Sequence, residues 1–417
     1  MQKFCRSWLF TIECSLIFAP VMALAFAYTA RLFELMAIIG CLHLALAAAL
    51  VQYYVRRRKS PPPCPSLPPV SILVPLHGAE PGLFDRLAAL CSQSYGAPVQ
   101  LVLGTQTDIA VNETVRRLKR AFPNVPIEYI FDRREHGASR KFSNLINMMP
   151  FVRYDHLVLA DSDVQVGPDY LVRLMTELQQ PGVEVVTCLY RARGTGGVWA
   201  RLAALSINAD FLPNVVVSLT CHLAQPCLGP TIAIRRQMLN RIGGFSSVSN
   251  YLGADYLIGQ AVRAAGGEVR FAPFVIECAC FERSRADLFA RQLRAARTVK
   301  TIKPWGYAGT VITHPLPLAL LAALFNRPTG FLLAAAAISC RMLLYFSVER
   351  AFHLARQHYL LIVVHDLIAF AVFVTSYFGQ IVIWRGHKYR LTPSLRMVQV
   401  NVEADSQVIE GADPAGH

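Results

Sequence analysis

The sequence predicts an α/β domain on a largely parallel sheet, flanked at both ends by membrane-spanning helices. Strand-like apolar runs alternate with amphipathic helical stretches from Val70 to Phe131, the pattern of right-handed βαβ units. Long apolar runs lie near both ends of the chain, several of them near the roughly twenty residues a bilayer crossing needs. Composition agrees, because 54% hydrophobic and 16% charged residues is too apolar for an ordinary soluble domain.

Taken in order, residues 1–59 form the first membrane segment. An apolar run from Trp8 to Tyr28 carries Glu13 and Pro20, and a cleaner run covers Leu35 to Tyr54. Two spans with a tight external loop would put both the N-terminus and Arg56 in the cytosol. The cluster Arg56-Arg57-Arg58-Lys59 favours that side. Residues 60–69 are rich in proline and read as a semi-rigid spacer.

The expected catalytic domain covers 70–305. Strands are predicted at 70–75, 99–104 and 127–131, with helices at 83–92 and 111–122 between them. His156-Leu157-Val158-Leu159-Ala160 is a continuous apolar run, as in a strand buried on both faces, and it ends in Asp161-Ser162-Asp163. Two readings of those acids stand at this point: a solvated acidic turn, or oxygen ligands for a hard divalent cation at a strand's carboxyl end. Further strands are expected at 183–190 and, as a sheet edge, at 268–271. Val198 to Val217 reads as an apolar helix, and Arg283 to Lys300 as a strongly basic one.

Residues 306–390 return to apolar runs at 310–325, 329–346 and 359–384, and the last two are long enough to span. Arg385 to Arg390 is basic and favours a cytosolic end, which requires an even number of crossings after the catalytic domain. Arg341 and Asp366 fall inside these runs, where charges are costly, and pairing with each other is one way to offset that cost. The remainder, 391–417, reads as a disordered tail.

Charge and cysteine content narrow the function classes. Net charge is +14, but basic residues are not interleaved with aromatics in the soluble part, so nucleic acid is not the expected partner. A membrane surface and a pyrophosphate-bearing substrate fit better. The 11 cysteines are scattered, and Cys278-Ala279-Cys280 is too tight for a zinc pair, so a reduced cytosolic domain is expected.

Four features stand in a fixed order: Asp161 with Asp163, Gly229 to Arg236, Asp255, and Arg291-Gln292-Leu293-Arg294. In this string the chain resembles the glycosyltransferases of the ceramide glucosyltransferase type, family 21, over about residues 70–304. Their signature is a series of aspartate motifs followed by (Gln/Arg)-x-x-Arg-Trp. Pro75 to Gly82, His136-Gly137-Ala138 with Lys141, Asn144 to Asn147, and Thr313 to Pro317 resemble the bacterial hopanoid-biosynthesis members most.

The resemblance implies a GT-A (Rossmann-like) fold, a UDP-sugar donor, a membrane lipid acceptor and a divalent cation, Mg²⁺ or Mn²⁺. It implies a bacterial inner-membrane location with the catalytic domain in the cytosol. Asp161 and Asp163 are then the metal ligands and Asp255 the general base that deprotonates the acceptor. Arg291 and Arg294, one helix face apart, are phosphate ligands, as are Arg140 and Lys141. Glu80 is placed near the uracil and ribose, against the alternative of a loop acid before Pro81. Asp108 is matched to the family's first aspartate, in a run shorter than the pattern. Taken alone, without the other motifs, Asp255 reads first as a helix-start acid; the alternatives for Lys141 and for the basic helix are a solvated helix-start cation and a face lying on lipid. The family's tryptophan is Ala295 here.

Overall fold

The structure, a computed structural model, describes residues 2–62, 66–106, 110–356, 359–384 and 387–400, with backbone alone for 2–21 and 23. Its α/β half is an eight-stranded mixed sheet ordered β3-β2-β1-β4-β7-β6-β8-β5. The strands are β1 (Val70–Pro75), β2 (Val99–Thr105), β3 (Ile127–Phe131), β4 (His156–Ala160), β5 (Val164–Gln165), β6 (Val183–Gly194), β7 (Thr231–Arg235) and β8 (Glu268–Cys280). β1 to β4 are parallel to their neighbours among themselves, whereas β7 runs antiparallel to both β4 and β6.

Alternation along each strand builds two cores. Ile72, Leu101, Leu103 and Val158 face one side, under α2 (Leu83–Cys91), α3 (Asn112–Ala121) and α5 (Tyr170–Leu178). Leu73, Val102, Leu157 and Leu159 face the other, under α4 (Arg140–Met148), α8 (Arg236–Arg241) and α9 (Ala254–Ala264). Both faces are therefore covered, which is why these strands are continuous apolar runs in the sequence.

The expected edge strand at 268–271 is instead part of the thirteen-residue β8. It pairs in parallel with β6 along most of its length, and β5 closes the sheet beyond it. The long β6–β8 ribbon projects toward the apolar helices. Those are α1 (Gln2–Arg57), α6 (Val198–Leu205) and α7 (Leu212–Thr220) joined by a π-helical segment Ser206–Phe211, α10 (Arg285–Ile302), α11 (Pro304–Gly309), α12 (Pro315–Ala323), α13 (Arg327–Phe352) and α14 (Tyr359–Ser376). Leu189 of β6 shares one buried cluster with Leu44, Val51, Val216, Leu344 and Val348. Ala192 and Cys280 share another with Leu205, Tyr345 and Ile362. The proline-rich 60–69 segment thus does not hold the halves apart. Arg58 donates to the Ala272 and Phe274 carbonyls, tying the end of α1 directly to β8.

Among the described residues, four helices are long and apolar enough to cross a membrane: 24–57, 198–220, α13 and α14. The N-terminal half corrects the expected pair of spans. α1 is one helix through residues 28–35, with no loop, because Thr29 to Glu34 contains no glycine or proline to break it. Glu34 is buried there and accepts from Asn326 at 2.9 Å.

The third C-terminal run is also shorter than expected. α14 ends at Ser376, Gly379 turns at φ 84°, and Ile381–Trp384 is strand β9. Val382 is buried between exposed Ile381 and Ile383, a two-residue period that a helix does not produce. β9 pairs antiparallel with β10 (His387–Leu391), and β10 with β11 (Met397–Gln399). Residues 391–400 are therefore folded, not part of a disordered tail, while 401–417 lie outside the described residues. This small sheet packs on the catalytic domain through Leu252, Val382, Tyr389 and Met397.

Arg341 and Asp366 do pair, with Nε donating to Oδ2 at 3.0 Å. Arg341 also reaches Asp210 at 3.0 Å, the Ala209 carbonyl at 3.1 Å and the Thr313 carbonyl at 2.7 Å. Asp210 is held a second time by His365 Nε2 at 2.6 Å. Asn208 in the same π-helical turn bonds both the N–H and the carbonyl of Ala192 on β6, each at 2.8 Å. The wide turn thus joins a charge cluster among the apolar helices to the catalytic sheet.

Candidate active site

β4 sits centrally in the sheet and delivers Asp161, Ser162 and Asp163 at its carboxyl end. The turn is held from several sides. The Asp161 N–H donates to the Pro230 carbonyl at 3.1 Å, and the Ala279 N–H of β8 donates to the Asp163 carbonyl at 2.9 Å. Ser162 donates its hydroxyl to Glu80 at 3.0 Å. Arg86 of α2 lies beneath, with Nε donating to the Ser162 carbonyl at 2.7 Å and a guanidinium nitrogen 3.5 Å from Glu80.

Lys141, in the first turn of α4, joins three of the sequence motifs. Its Nζ lies 2.8 Å from Asp161 Oδ1 and 3.6 Å from Asp255 Oδ1, and donates to the Gly229 carbonyl at 3.2 Å. α4 is anchored to β2 by Asn144, whose amide donates to the Gly104 carbonyl at 2.7 Å. Lys141 is only 9% exposed, so it is an internal bridge between acids and not the solvated helix-start cation of the alternative reading.

Asp255 enters from the first turn of α9, after Gly253 at φ 71°. It nests against Gly229 so closely that a Cβ at 229 would lie 2.2 Å from Asp255 Oδ2. Glycine is required there by the close approach. The general-base candidate and the turn before β7 are thus one packed unit.

Arg291 of α10 pairs with Glu282 and adds positive charge near Asp163. Its helix is started by a reciprocal cap, Ser284 with Asp287. Arg294, on the same face, lies over the Trp384 ring at 6.0 Å from its centroid. An aromatic from β9 therefore stands beside this arginine, although Ala295 follows it in the chain.

Electrostatics distinguish the acids. Burial, reinforced by Asp161, pushes the Asp163 carboxyl up to about 7, against the opposing pull of Arg291 and Lys141. Burial also raises Asp255, with Lys141 opposing. Asp163 Oδ1 is a buried oxygen without a hydrogen-bond donor, whereas Asp255 Oδ1 has the Lys141 ammonium at 3.6 Å. Such an oxygen is costly unless a cation or a bound hydroxyl satisfies it. Asp163 with Asp161 offers an oxygen donor set suited to Mg²⁺ or Mn²⁺. Among the described residues no three His, Cys, Asp or Glu side chains converge on one point. A cation held here would keep positions open for phosphate oxygens.

The structure brings together Asp161, Asp163, Lys141, Asp255, Glu80 and Arg291. Glu80 serves the turn through Ser162 and Arg86, beside the acids. Arg140 instead pairs with Glu135 at 3.4 Å, and Arg294 faces Trp384. Asp108 lies outside the described residues. Sequence reasoning missed Arg86, although a charge at i+3 among Leu83, Leu87 and Leu90 on one helix face is a readable anomaly. It also missed Trp384, which arrives from far along the chain and carries no local signal. His136 is a loop residue, its Nε2 2.7 Å from Asn147 Oδ1. Eight cysteines whose side chains are described form no disulfide among themselves.

Comparison with known proteins bears on this arrangement. Residues 36–397 match Glycosyl transferase family 21. Ceramide glucosyltransferase 1 of Caenorhabditis elegans is 23% identical over 245 residues, covering 56% of this chain and 51% of that protein. Ceramide glucosyltransferase 3 of the same organism is 22% identical over 242 residues, covering 56% and 52%. The chain spans about half the length of the curated relatives it matches. Among solved structures, a mannosyltransferase from Pyrobaculum calidifontis in complex with GDP-Man and Mn²⁺ aligns with TM-score 0.49 and 20% identity, over 83% of this chain and 99% of that one. Glucosyl-3-phosphoglycerate synthase from Mycobacterium tuberculosis aligns with TM-score 0.35 and 20% identity, over 55% and 76%. The match to residues 36–397 takes in the whole sheet and the helices around it. The α/β domain is a GT-A glycosyltransferase domain, and the chain belongs to glycosyl transferase family 21.

Proposed function

We propose that this enzyme moves a sugar from a UDP-sugar to the hydroxyl of a membrane lipid, with inversion at the anomeric carbon. The observation that carries the reading is the buried carboxylates of Asp163, with one oxygen lacking a donor, and Asp255, joined through Lys141, which ion-pairs with both Asp161 and Asp255. Asp163, with Asp161, holds the divalent cation, which when bound neutralises charge on the departing diphosphate. Arg291 adds fixed positive charge on that side. Asp255 accepts the proton of the acceptor hydroxyl as its oxygen bonds to the anomeric carbon and the bond to UDP breaks. One base on the acceptor side serves a single displacement, which inverts configuration. Burial raises Asp255 and so strengthens it as a base.

The lipid acceptor is supported by the apolar helices that share a core with the catalytic sheet. The catalytic domain is assigned to the cytosolic face of a bacterial inner membrane, beside the basic end of α1. We assign N-acetylglucosamine as the sugar and a hopanoid polyol such as bacteriohopanetetrol as the acceptor, on the motif resemblance. A second reading, glucose to a ceramide-like lipid, is favoured by the ceramide glucosyltransferase relatives.

Membranes containing the full chain, offered labelled UDP-N-acetylglucosamine and UDP-glucose with each lipid, decide between them by the product formed. If neither donor is consumed, or Asp255→Asn matches the unaltered enzyme, the catalytic reading fails.

A further inference from the structure

An open pocket lies between α9 and the chain segment that leads to Gly229. It has a volume of about 480 Å³ and is lined by Ala224, Gln225, Tyr256, Gln260, Arg263 and Lys303. Tyr256, Gln260 and Arg263 follow one face of α9, starting one residue after Asp255. Arg263 donates to the Gln225 carbonyl, and its Nε is buried with no acceptor. Lys303 Nζ lies 3.5 Å from the Leu223 carbonyl. Among the described residues neither cation has a carboxylate partner within salt-bridge distance, whereas most arginines of the catalytic half do. Two uncompensated cations, an orphaned guanidinium N–H and two neutral donors make the pocket a receptor for an anion.

Its surroundings indicate which anion. The pocket opens just past α7, an apolar helix end, and at the junction of α10 with α11. Leu223, the residue before Ala224, is 67% exposed, and Trp305, two residues after Lys303, is 89% exposed. Exposed large apolar side chains beside cations, with tryptophan among them, mark the headgroup level of a bilayer.

We propose that this pocket binds the phosphate headgroup of an anionic glycerophospholipid, whose acyl chains lie over Leu223 and Trp305. The bound phosphate would tie Arg263 on α9 to Lys303 at the end of α10. It would thereby brace the 221–230 loop, whose other end seats Asp255 against Gly229. The inference rests on the membrane reading of the chain and is independent of sugar transfer, because its test reads lipid binding directly.

The test uses the full chain in neutral detergent, with short-chain phosphatidylglycerol, short-chain phosphatidylcholine and inorganic phosphate as separate titrants. Thermal unfolding and tryptophan fluorescence are the readouts. Phosphatidylglycerol should raise the unfolding temperature and alter the fluorescence, and the other two should do neither at equal concentration. Lys303→Gln and Arg263→Gln should each weaken the apparent affinity by about tenfold, the order expected for one charge-assisted phosphate contact. Arg116→Gln, on the distant α3, should leave it unchanged. Lys303 is at the surface, so its variant keeps the test valid if Arg263→Gln does not fold. Equal response to phosphatidylcholine, an effect of inorganic phosphate matching the lipid, or undiminished binding by Lys303→Gln would each overturn the proposal.

Discussion

Gly229→Ala isolates the placement of Asp255 from its chemistry. The added Cβ would stand 2.2 Å from Asp255 Oδ2 and 2.7 Å from its Cγ, whereas ordinary contact begins at 3.4 Å. Gly229 has no positive φ, so alanine adds no backbone strain and the whole effect is steric. Relief requires the carboxylate to retreat by more than an ångström, and α9 behind it is packed by Ala254, Ile258 and Val262. Misplacing a catalytic group by about 1 Å costs on the order of 10²-fold in rate. The Lys141 contact to the Gly229 carbonyl is to backbone and survives, as does the Asp161–Asp163 turn on the other side of Lys141. Turnover should therefore fall by about 10²-fold while KM for the UDP-sugar stays within about twofold. The assay is steady-state transfer to lipid in reconstituted vesicles, with equilibrium binding of labelled UDP as the control. Unchanged kcat in Gly229→Ala, alongside an inactive Asp255→Asn, would show that Asp255 does not act from this nest. Loss of UDP binding in step with kcat would show that the effect is general disruption of the site.

Other outcomes follow from the same geometry. Asp163→Ala should abolish Mn²⁺-dependent binding of UDP-sugar, and an unaltered metal titration in that variant would move the cation elsewhere. Asp255→Asn should lower kcat by about 10²–10⁴-fold, the range for a lost general base. Because burial raises the Asp255 carboxyl above its ordinary 3.8, the base is lost by protonation as pH falls, and the acid limb of kcat should lie above that value; a limb at or below 3.8 contradicts this assignment. Arg341→Met should destabilise by about 3–5 kcal/mol, since it strands Asp366 in the interior and leaves Asp210 to His365 alone. A thermal melt in detergent reads that loss, and Arg341→Asp combined with Asp366→Arg should recover part of it. Trp384→Ala should raise KM for the lipid acceptor more than for the donor if the ring beside Arg294 faces the acceptor, and an effect on the donor alone would place it on the phosphate side.

What could be read in the sequence was set by how each segment is buried. β1, β2 and β4 are covered on both faces, so they appear as unbroken apolar runs, and the acids at the end of β4 stand out against them. Lys141, Asp161 and Asp255 were legible as separate signals, but their convergence was not, because Lys141 reaches Asp255 over more than a hundred residues of chain. β8 was read too short because Pro273 and Glu277 interrupt its apolar pattern, while its pairing with β6 continues past both. The C-terminal sheet was hidden by composition: Ile381, Val382 and Ile383 extend the hydropathy of α14, and only the turn at Gly379 separates helix from strand. Arg86 and Asp210 are charges on apolar helix faces, and the Ser162 carbonyl and the Arg341 guanidinium that they meet come from distant segments that no local window contains.

The interlocking of β6 and β8 with α1, α7 and α13 changes what the helices are for. A protein moored by a tether can be cut free at the tether and studied as a soluble fragment. Here such a cut near residue 60 would bare the side of Leu189 and Val216 that the helices cover, and would release the grip of Arg58 on β8. The apolar helices are thus part of the fold of this enzyme, and their distance to Asp255 is built into the backbone. On the proposed reading, in which Asp255 is the base toward a lipid hydroxyl, the acceptor must bring that hydroxyl to a fixed height, and the reach of its headgroup becomes a selection rule in its own right.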